Sequence, residues 1–535
     1  MSVKNIKEIH LQLRRRPKRR KANLRKILIA AFLMAAQIAL ILWILIEMNA
    51  FALSSYIVFQ IAAILASIRI VLNQKNPSYK IAWMTAIMLI PVLGIIFYEM
   101  WGRGRNPKRV KKRIQAISEM TVPLYEHDSA SEELFMQMHP QQERIMKYLR
   151  RAGFPIYRNT DVKYYELADR LFPDMLAELK NAKKFIFLEF FILSEGGLWQ
   201  EAFEILKNKA AEGVDVRILY DDFGCMTCLP DRFETITKQA GIKTAAFNKI
   251  KPIVNNFYMN YRNHQKICVV DGNVGYTGGM NLADEYVNTV DAFGHWKDTG
   301  VRLAGEGVWS FTVMFLQMWE YATYRKKAPL QKPVYSVYRP DAEYCAGANA
   351  GGGFVQPFAD GPLTTPDETE AEYLYMQMIN SAKRYVYITT PYLVPDNEML
   401  TALRLAALSG VDVRIITPGI PDKKYVYLVT NSFYGTLISA GVKIYEYEPG
   451  FIHAKNIVCD DETAVVGTVN MDFRSFYLHF ENGVWMCGGD TARCIKEDFT
   501  RTLEYCREID LDTWKNRPLR RKFAQAVLKF LAPLM

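Results

Sequence analysis

Two segments of the chain carry the same reactive side chains at the same spacing. Asn263-His264-Gln265-Lys266-Ile267-Cys268-Val269-Val270-Asp271 recurs in outline as Ile452-His453-Ala454-Lys455-Asn456-Ile457-Val458-Cys459-Asp460, each reading His-x-Lys-x4-Asp. Each copy has a glycine fourteen residues after its histidine (Gly278, Gly467) and an asparagine seventeen after it (Asn281, Asn470). The chain has seven histidines, so two in one template are hard to ascribe to chance. Such a set suits phosphodiester chemistry without a metal. One imidazole attacks phosphorus and the other handles the proton. Lys266, Lys455, Asn281 and Asn470 hold the phosphate oxygens. No metal and no cofactor are expected. Cys225-Met-Thr-Cys228 has a ligand-like spacing, but no second Cys or His pair accompanies it.

The catalytic candidates are therefore His264, Lys266, Asp271, His453, Lys455 and Asp460. Asp271 and Asp460 open turn signals (Asp-Gly-Asn and Asp-Asp-Glu), so turn or ion-pair roles are expected of them rather than contact with phosphorus. Further on, Asp298-Thr-Gly-Val and Glu481-Asn-Gly-Val occupy matching places. A carboxylate there could fix the tautomer of a catalytic imidazole, or cap a turn.

The elements that must position these residues repeat as well. Ala182-Lys-Lys-Phe-Ile-Phe-Leu188 matches Ala382-Lys-Arg-Tyr-Val-Tyr-Ile388, and Gly213-Val-Asp-Val-Arg-Ile218 matches Gly410-Val-Asp-Val-Arg-Ile415. Ala240-Gly-Ile-Lys243 likewise matches Ala440-Gly-Val-Lys443, with helix-like runs between the strand candidates. The order β-α-β-then-motif occurs twice, which predicts an α/β architecture of two similar domains forming one active site. An inert duplication would explain the apolar strands, but packing needs neither His, Lys nor Asn at fixed offsets.

At 535 residues and net charge +11, the chain suggests two soluble-sized domains plus an extra part. The charge is concentrated. Residues 1–26 hold eleven Lys/Arg and one Glu, 102–113 hold seven Lys/Arg and no acid, and the remainder is net acidic. A nucleic-acid groove would need that excess in the catalytic region, so no nucleic-acid partner is expected. The basic blocks flank apolar runs instead, as at an anionic membrane surface. Ile27–Ile46 and Met48–Ile68 are uncharged and long enough to span, and exceed a signal-peptide core. Ile81–Tyr98 is uncharged but interrupted by Pro91 and Gly94. Two spans with a re-entrant third segment would keep 1–26, 69–80 and 102–113 inside. That predicts a multi-pass cell-membrane protein with its catalytic region on the cytoplasmic face. The eight scattered cysteines read as reduced thiols, in keeping with that face.

The expected division is a basic tail (1–26), an anchor (27–100) and a basic connector (101–154). A first domain (155–335), a linker (336–370), a second domain (371–512) and a basic amphipathic tail (513–535) follow. The last of these could meet a membrane surface or pack on the second domain.

These residues resemble the phospholipase D superfamily, and more narrowly the bacterial cardiolipin synthases. The general match spans roughly residues 155–510 and rests on both motif copies with their Gly and Asn. The narrower one rests on Asn260-Tyr-Arg-Asn-His264, Tyr276-Thr-Gly-Gly-Met-Asn-Leu-Ala-Asp-Glu-Tyr286, His295-Trp-Lys-Asp-Thr299, Gly467-Thr-Val-Asn-Met-Asp-Phe-Arg-Ser475 and Phe480-Glu-Asn482. Ala82-Trp83, Pro91-Val-Leu-Gly94, Tyr98 and Gly102-Arg103 are similar to the family's anchor segment. Gln265 and His479 depart from it, standing where Arg and Asn are common.

The resemblance implies phosphatidyl transfer between two phosphatidylglycerol molecules, giving cardiolipin and glycerol through a phosphohistidine. His264 would be the nucleophile and His453 the general acid and then base. The partners implied are phosphatidylglycerol and membrane lipid. A hydrolase using water, a transferase using another alcohol, a nuclease and a non-catalytic scaffold are the alternatives. The acidic remainder and the apolar runs argue against the nuclease, and two intact motif sets argue against the scaffold.

Overall fold

The structure, a computed structural model, describes Ala39 and residues 52–73, 76–102, 108–249, 261–323, 335–346, 353–361 and 369–534. The basic tail 1–26, the run Ile27–Ile46 apart from Ala39, Asn260 and, within the segment 336–370, residues 347–352 and 362–368 lie outside the described residues.

The internal repeat is a repeat of sheets. The first half orders its strands Thr160–Tyr165, Gly300–Gly305, Val274–Gly278, Ile267–Val270, Phe185–Phe190, Asp215–Asp221 and Lys243–Phe247. The second orders Phe354–Asp360, His479–Cys487, Thr463–Gly467, Asn456–Cys459, Tyr385–Thr389, Asp412–Pro418 and Lys443–Tyr447, then adds Cys506–Glu508 at the edge. In both, the three strands that precede the motif or lead from the repeated Gly-Val-Asp-Val-Arg-Ile segment run parallel, and the motif hairpin joins them antiparallel. Phe185–Phe190 and Tyr385–Thr389 are buried on both faces, as their near-continuous apolar runs require. Gly213 and Gly410, which open the matched segments, both sit at φ 93°, where a side chain would be strained. Phe354–Asp360 lies inside the segment read as linker, yet it pairs along its whole length with Glu481–Cys487.

Asp271 and Asp460 take left-handed backbone conformations at the tips of the motif hairpins. The Asp271 carboxylate accepts from the N–H groups of Lys183, Lys184 and Phe185; Asp460 does the same for Lys383, Arg384 and Tyr385. They clamp the hairpin tip to the start of the neighbouring strand, at the far end of that hairpin from His264 and His453. These contacts fit the turn role read from Asp-Gly-Asn and Asp-Asp-Glu and leave Asp271 and Asp460 catalytic candidates only through the positioning of the hairpins. Asp271→Ala or Asp460→Ala is expected to lower unfolding stability by about 1–3 kcal/mol in denaturant melts, while kcat per folded molecule stays close to the parent's. Loss of turnover from fully folded variant would return these groups to the chemistry.

At the N-terminal side, helices Ala52–Val71, Pro77–Leu89 and Pro91–Phe97 form a small separate cluster around Ala63, Ile70, Trp83, Ile87 and Tyr98. Pro91 starts a new helix after a break at Ile90, as the interruption suggested. Gly94 permits the close return, since a Cβ there would lie 2.6 Å from the Ile87 Cα. Among the described residues no helix is long and apolar enough to cross a membrane, so the expected transmembrane helices and multi-pass topology are not supported.

Candidate active site

Each His-x-Lys segment is a short crossing between two strands, and each is held by the opposite half of the chain. Arg262–Asn263 pairs in parallel with His479–Phe480, and Gly450–Ile452 pairs in parallel with His295–Lys297. The next backbone N–H continues both ladders: His264 donates to the Phe480 carbonyl (2.8 Å) and His453 to the Lys297 carbonyl (2.7 Å). The residue after each acceptor carbonyl is the acid.

The carboxylates therefore cross over. Glu481 of the second half lies 2.8 Å from His264 Nδ1, and Asp298 of the first half lies 2.6 Å from His453 Nδ1. With Nδ1 engaged, Nε2 of each ring is the nitrogen available to face phosphorus. The sequence singled out both acids but not this exchange between halves.

His and Lys two residues apart on extended chain share a face. Lys266 Nζ donates to the His264 carbonyl (2.6 Å), and Lys455 Nζ donates to the His453 carbonyl and lies 2.9 Å from its Nδ1. Both ammonium groups are buried, and burial pulls their pKa values down, Lys266 to about 7 and Lys455 to about 8. Burial also holds both imidazoles well below their ordinary value, reinforced at His453 by Lys455.

The two carboxylates differ. Glu481 accepts from the Thr468 and Ser475 hydroxyls as well as from His264. Burial would raise it, but the His264 contact holds it below the usual carboxylate range. Asp298 has Gly279 where Glu481 has Thr468; a Cβ at Gly279 would stand 2.2 Å from Asp298 Oδ1. With no hydroxyl donor among the described residues, Asp298 accepts the Thr299 N–H, and burial raises its pKa to about 7.

The asparagines also differ. Asn281 accepts from the Ile192 N–H (2.9 Å) and donates to the Tyr286 hydroxyl (2.6 Å). Asn470 Oδ1 is buried without a partner among the described residues. Sequence reasoning did not find the aromatic walls. Phe191 lies 5.1 Å from the His264 ring, and Tyr286, Trp296 and Phe451 each lie 5.6 Å from that of His453. His479 stands 5.4 Å from His264. His264, His479 and Glu481 could between them offer three ligand atoms to a metal ion.

A lysine can hold a phosphate oxygen by charge only when protonated, as the role expected of Lys266 and Lys455 requires. The free-enzyme profile, kcat/KM, should therefore be flat on the acid side down past pH 6.5, the neutral imidazoles persisting there, and should fall as pH rises through about 7 to 8. A profile still rising above that window would contradict these assignments.

Comparison with known proteins follows the same division of the chain. A family model described as "Cardiolipin synthase, PLD-like domain" matches residues 175–293 and 375–503. One described as "Phospholipase_D-nuclease N-terminal" matches 61–103. An uncharacterized protein of Streptococcus mutans is 41% identical over 86% of this chain and 98% of its own length. A cardiolipin synthase 2 of Bacillus anthracis is 36% identical over 89% of this chain and 91% of its own. The crystal structure of a phosphatidylserine synthase from Haemophilus influenzae superposes with a TM-score of 0.55 at 14% identity, covering 73% of this chain and 97% of that one, and shares the fold.

Proposed function

Because the chain belongs to the family of phospholipase D-like cardiolipin synthases, we infer that its site makes cardiolipin by moving a phosphatidyl group from one phosphatidylglycerol to another. The protein is a phosphatidyltransferase. The observation that carries the mechanism is the crossed pairing of two histidines with two carboxylates of unequal basicity.

Neutral His264, its Nδ1–H held by ionised Glu481, attacks phosphorus through Nε2. The P–O bond to the departing glycerol breaks. The Asp298–His453 pair supplies the proton, since Asp298 titrates near neutrality and the arriving phosphate anion favours a charged imidazole. The second phosphatidylglycerol then loses its hydroxyl proton to His453 as its oxygen displaces His264 from phosphorus. Lys266, Lys455 and the Asn470 side-chain N–H oppose the charge on the non-bridging oxygens, and Asn281 orients Tyr286 beside His453. Aromatic walls around both rings restrict water, which favours an alcohol acceptor over hydrolysis.

Because lysines supply the positive charge, turnover should survive exhaustive chelation. Loss on chelation with recovery on adding magnesium or calcium would contradict this. Products formed from labelled phosphatidylglycerol test the function itself. Cardiolipin and glycerol are expected in equal amounts, whereas phosphatidic acid would indicate a hydrolase.

The substrates place the protein at a membrane. Ile57, Val58, Ile61, Ile64, Leu65 and Ile68 lie exposed along one side of Ala52–Val71, and Leu89 and Ile90 at the helical turn are exposed too. This apolar surface is the part that meets lipid, and the basic blocks favour the cytoplasmic leaflet.

A further inference from the structure

The C-terminal helix Leu519–Leu531 is built inside out. Its exposed residues are Leu519, Arg520, Phe523, Ala526, Val527 and Phe530, a single face at helical spacing that is apolar but for one arginine. Leu519 is 80% exposed and Phe523 74%. The polar residues are turned towards the protein. Arg521 donates to the Asn431 side chain, Gln525 is buried and accepts from Arg517 (2.5 Å), and Lys529 lies 4.2 Å over the Phe433 ring. A helix on a water-facing surface buries its apolar stripe and exposes its charges. This one does the reverse, which is the arrangement expected where the outer medium is hydrocarbon.

The same helix runs into the N-terminal cluster. Ala532 and Pro533 are buried just beyond its end, and Leu534 packs against the group formed by Ala63, Ile70, Trp83, Ile87 and Tyr98. The C-terminal helix thereby ends against the helices whose outer side is also apolar. Arg520 and Lys522, near its start, match the anionic headgroups of phosphatidylglycerol.

We propose that the outward face of Leu519–Leu531 lies in the headgroup–acyl boundary of the bilayer that holds the substrate, forming a second lipid contact alongside the N-terminal helices. This rests on the membrane reading above. The two contacts come from opposite ends of the chain, so together they would fix the orientation of the catalytic halves over the lipid surface. A single contact would leave them free to pivot.

The test uses the full chain in phosphatidylglycerol-containing vesicles, with Cys228→Ser, Cys494→Ser and Cys506→Ser removing the thiols that are not buried. A polarity-sensitive fluorophore is placed at Phe523→Cys and, in a second protein, at Ile64→Cys. Lipid carrying a nitroxide on its acyl chain should blue-shift and quench most of the emission at both positions. Quenching at 64 with water-like, unquenched emission at 523 would overturn the second contact and leave the first. Absence of quenching at both would overturn the membrane reading as well. Blue-shifted emission at 523 that the nitroxide does not quench would mean that a second copy of the chain covers the helix, and would also overturn the proposal.

Discussion

His264→Ala and His453→Ala are each expected to reduce cardiolipin formation by about 10⁴-fold or more, and the double variant should be little worse than either single one. The reason is geometric. Both rings are held by carboxylates of the opposite half, and in the proposed mechanism one attacks while the other transfers the proton, so neither half would complete a displacement at phosphorus alone. Turnover of folded variants on phosphatidylglycerol vesicles checks this. Multiplying losses, with the double variant far below either single, would mean two independent sites.

Removing the charge but not the shape of the crossed carboxylates should have the next largest effect. Glu481→Gln and Asp298→Asn are each expected to lower kcat by about 10²- to 10⁴-fold with little change in KM, because neither group touches substrate in this mechanism. The two variants should differ in kind. Glu481→Gln removes the acceptor that fixes the His264 tautomer, so it should slow formation of the phosphoenzyme at every pH. Asp298→Asn removes the group that titrates near neutrality beside His453, so it should also alter the pH profile between about 6 and 8. Identical losses with unchanged profiles would place both acids in a purely structural role.

Much of this site could be read from local spacing. His-x-Lys puts both side chains on one face of extended chain, and the trailing Gly and Asn follow from the hairpin that returns beside it. The repeated Gly-Val-Asp-Val-Arg-Ile segments marked equivalent strands, and in the structure both pair in parallel with the strand before them and open on a left-handed glycine. What the sequence did not reveal depends on contacts between distant residues. The His264–Glu481 bond spans 217 residues and the His453–Asp298 bond 155, and no periodicity reports which acid meets which ring. The strand Phe354–Asp360 lies in the segment expected to be linker; its pairing with Glu481–Cys487 makes it the edge strand that Thr160–Tyr165 forms in the first sheet. The difference between Glu481 and Asp298 lies in single residues, Thr468 and Gly279, fifteen positions after each histidine. The apolar runs were a weaker guide. Pro91 and Gly94 mark the bend that their place in the run suggests, but among the described residues no helix is long and apolar enough to span a membrane.

Trapping the covalent intermediate tests the division of labour most directly. A donor radiolabelled in its phosphatidyl moiety and bearing an activated leaving group needs no proton to depart. In acid-quenched reactions, label should accumulate on His453→Ala, whose intermediate forms but cannot pass to an unactivated alcohol, and none should be found on His264→Ala. Label retained on His264→Ala and absent from His453→Ala would contradict the assignment and exchange the two roles.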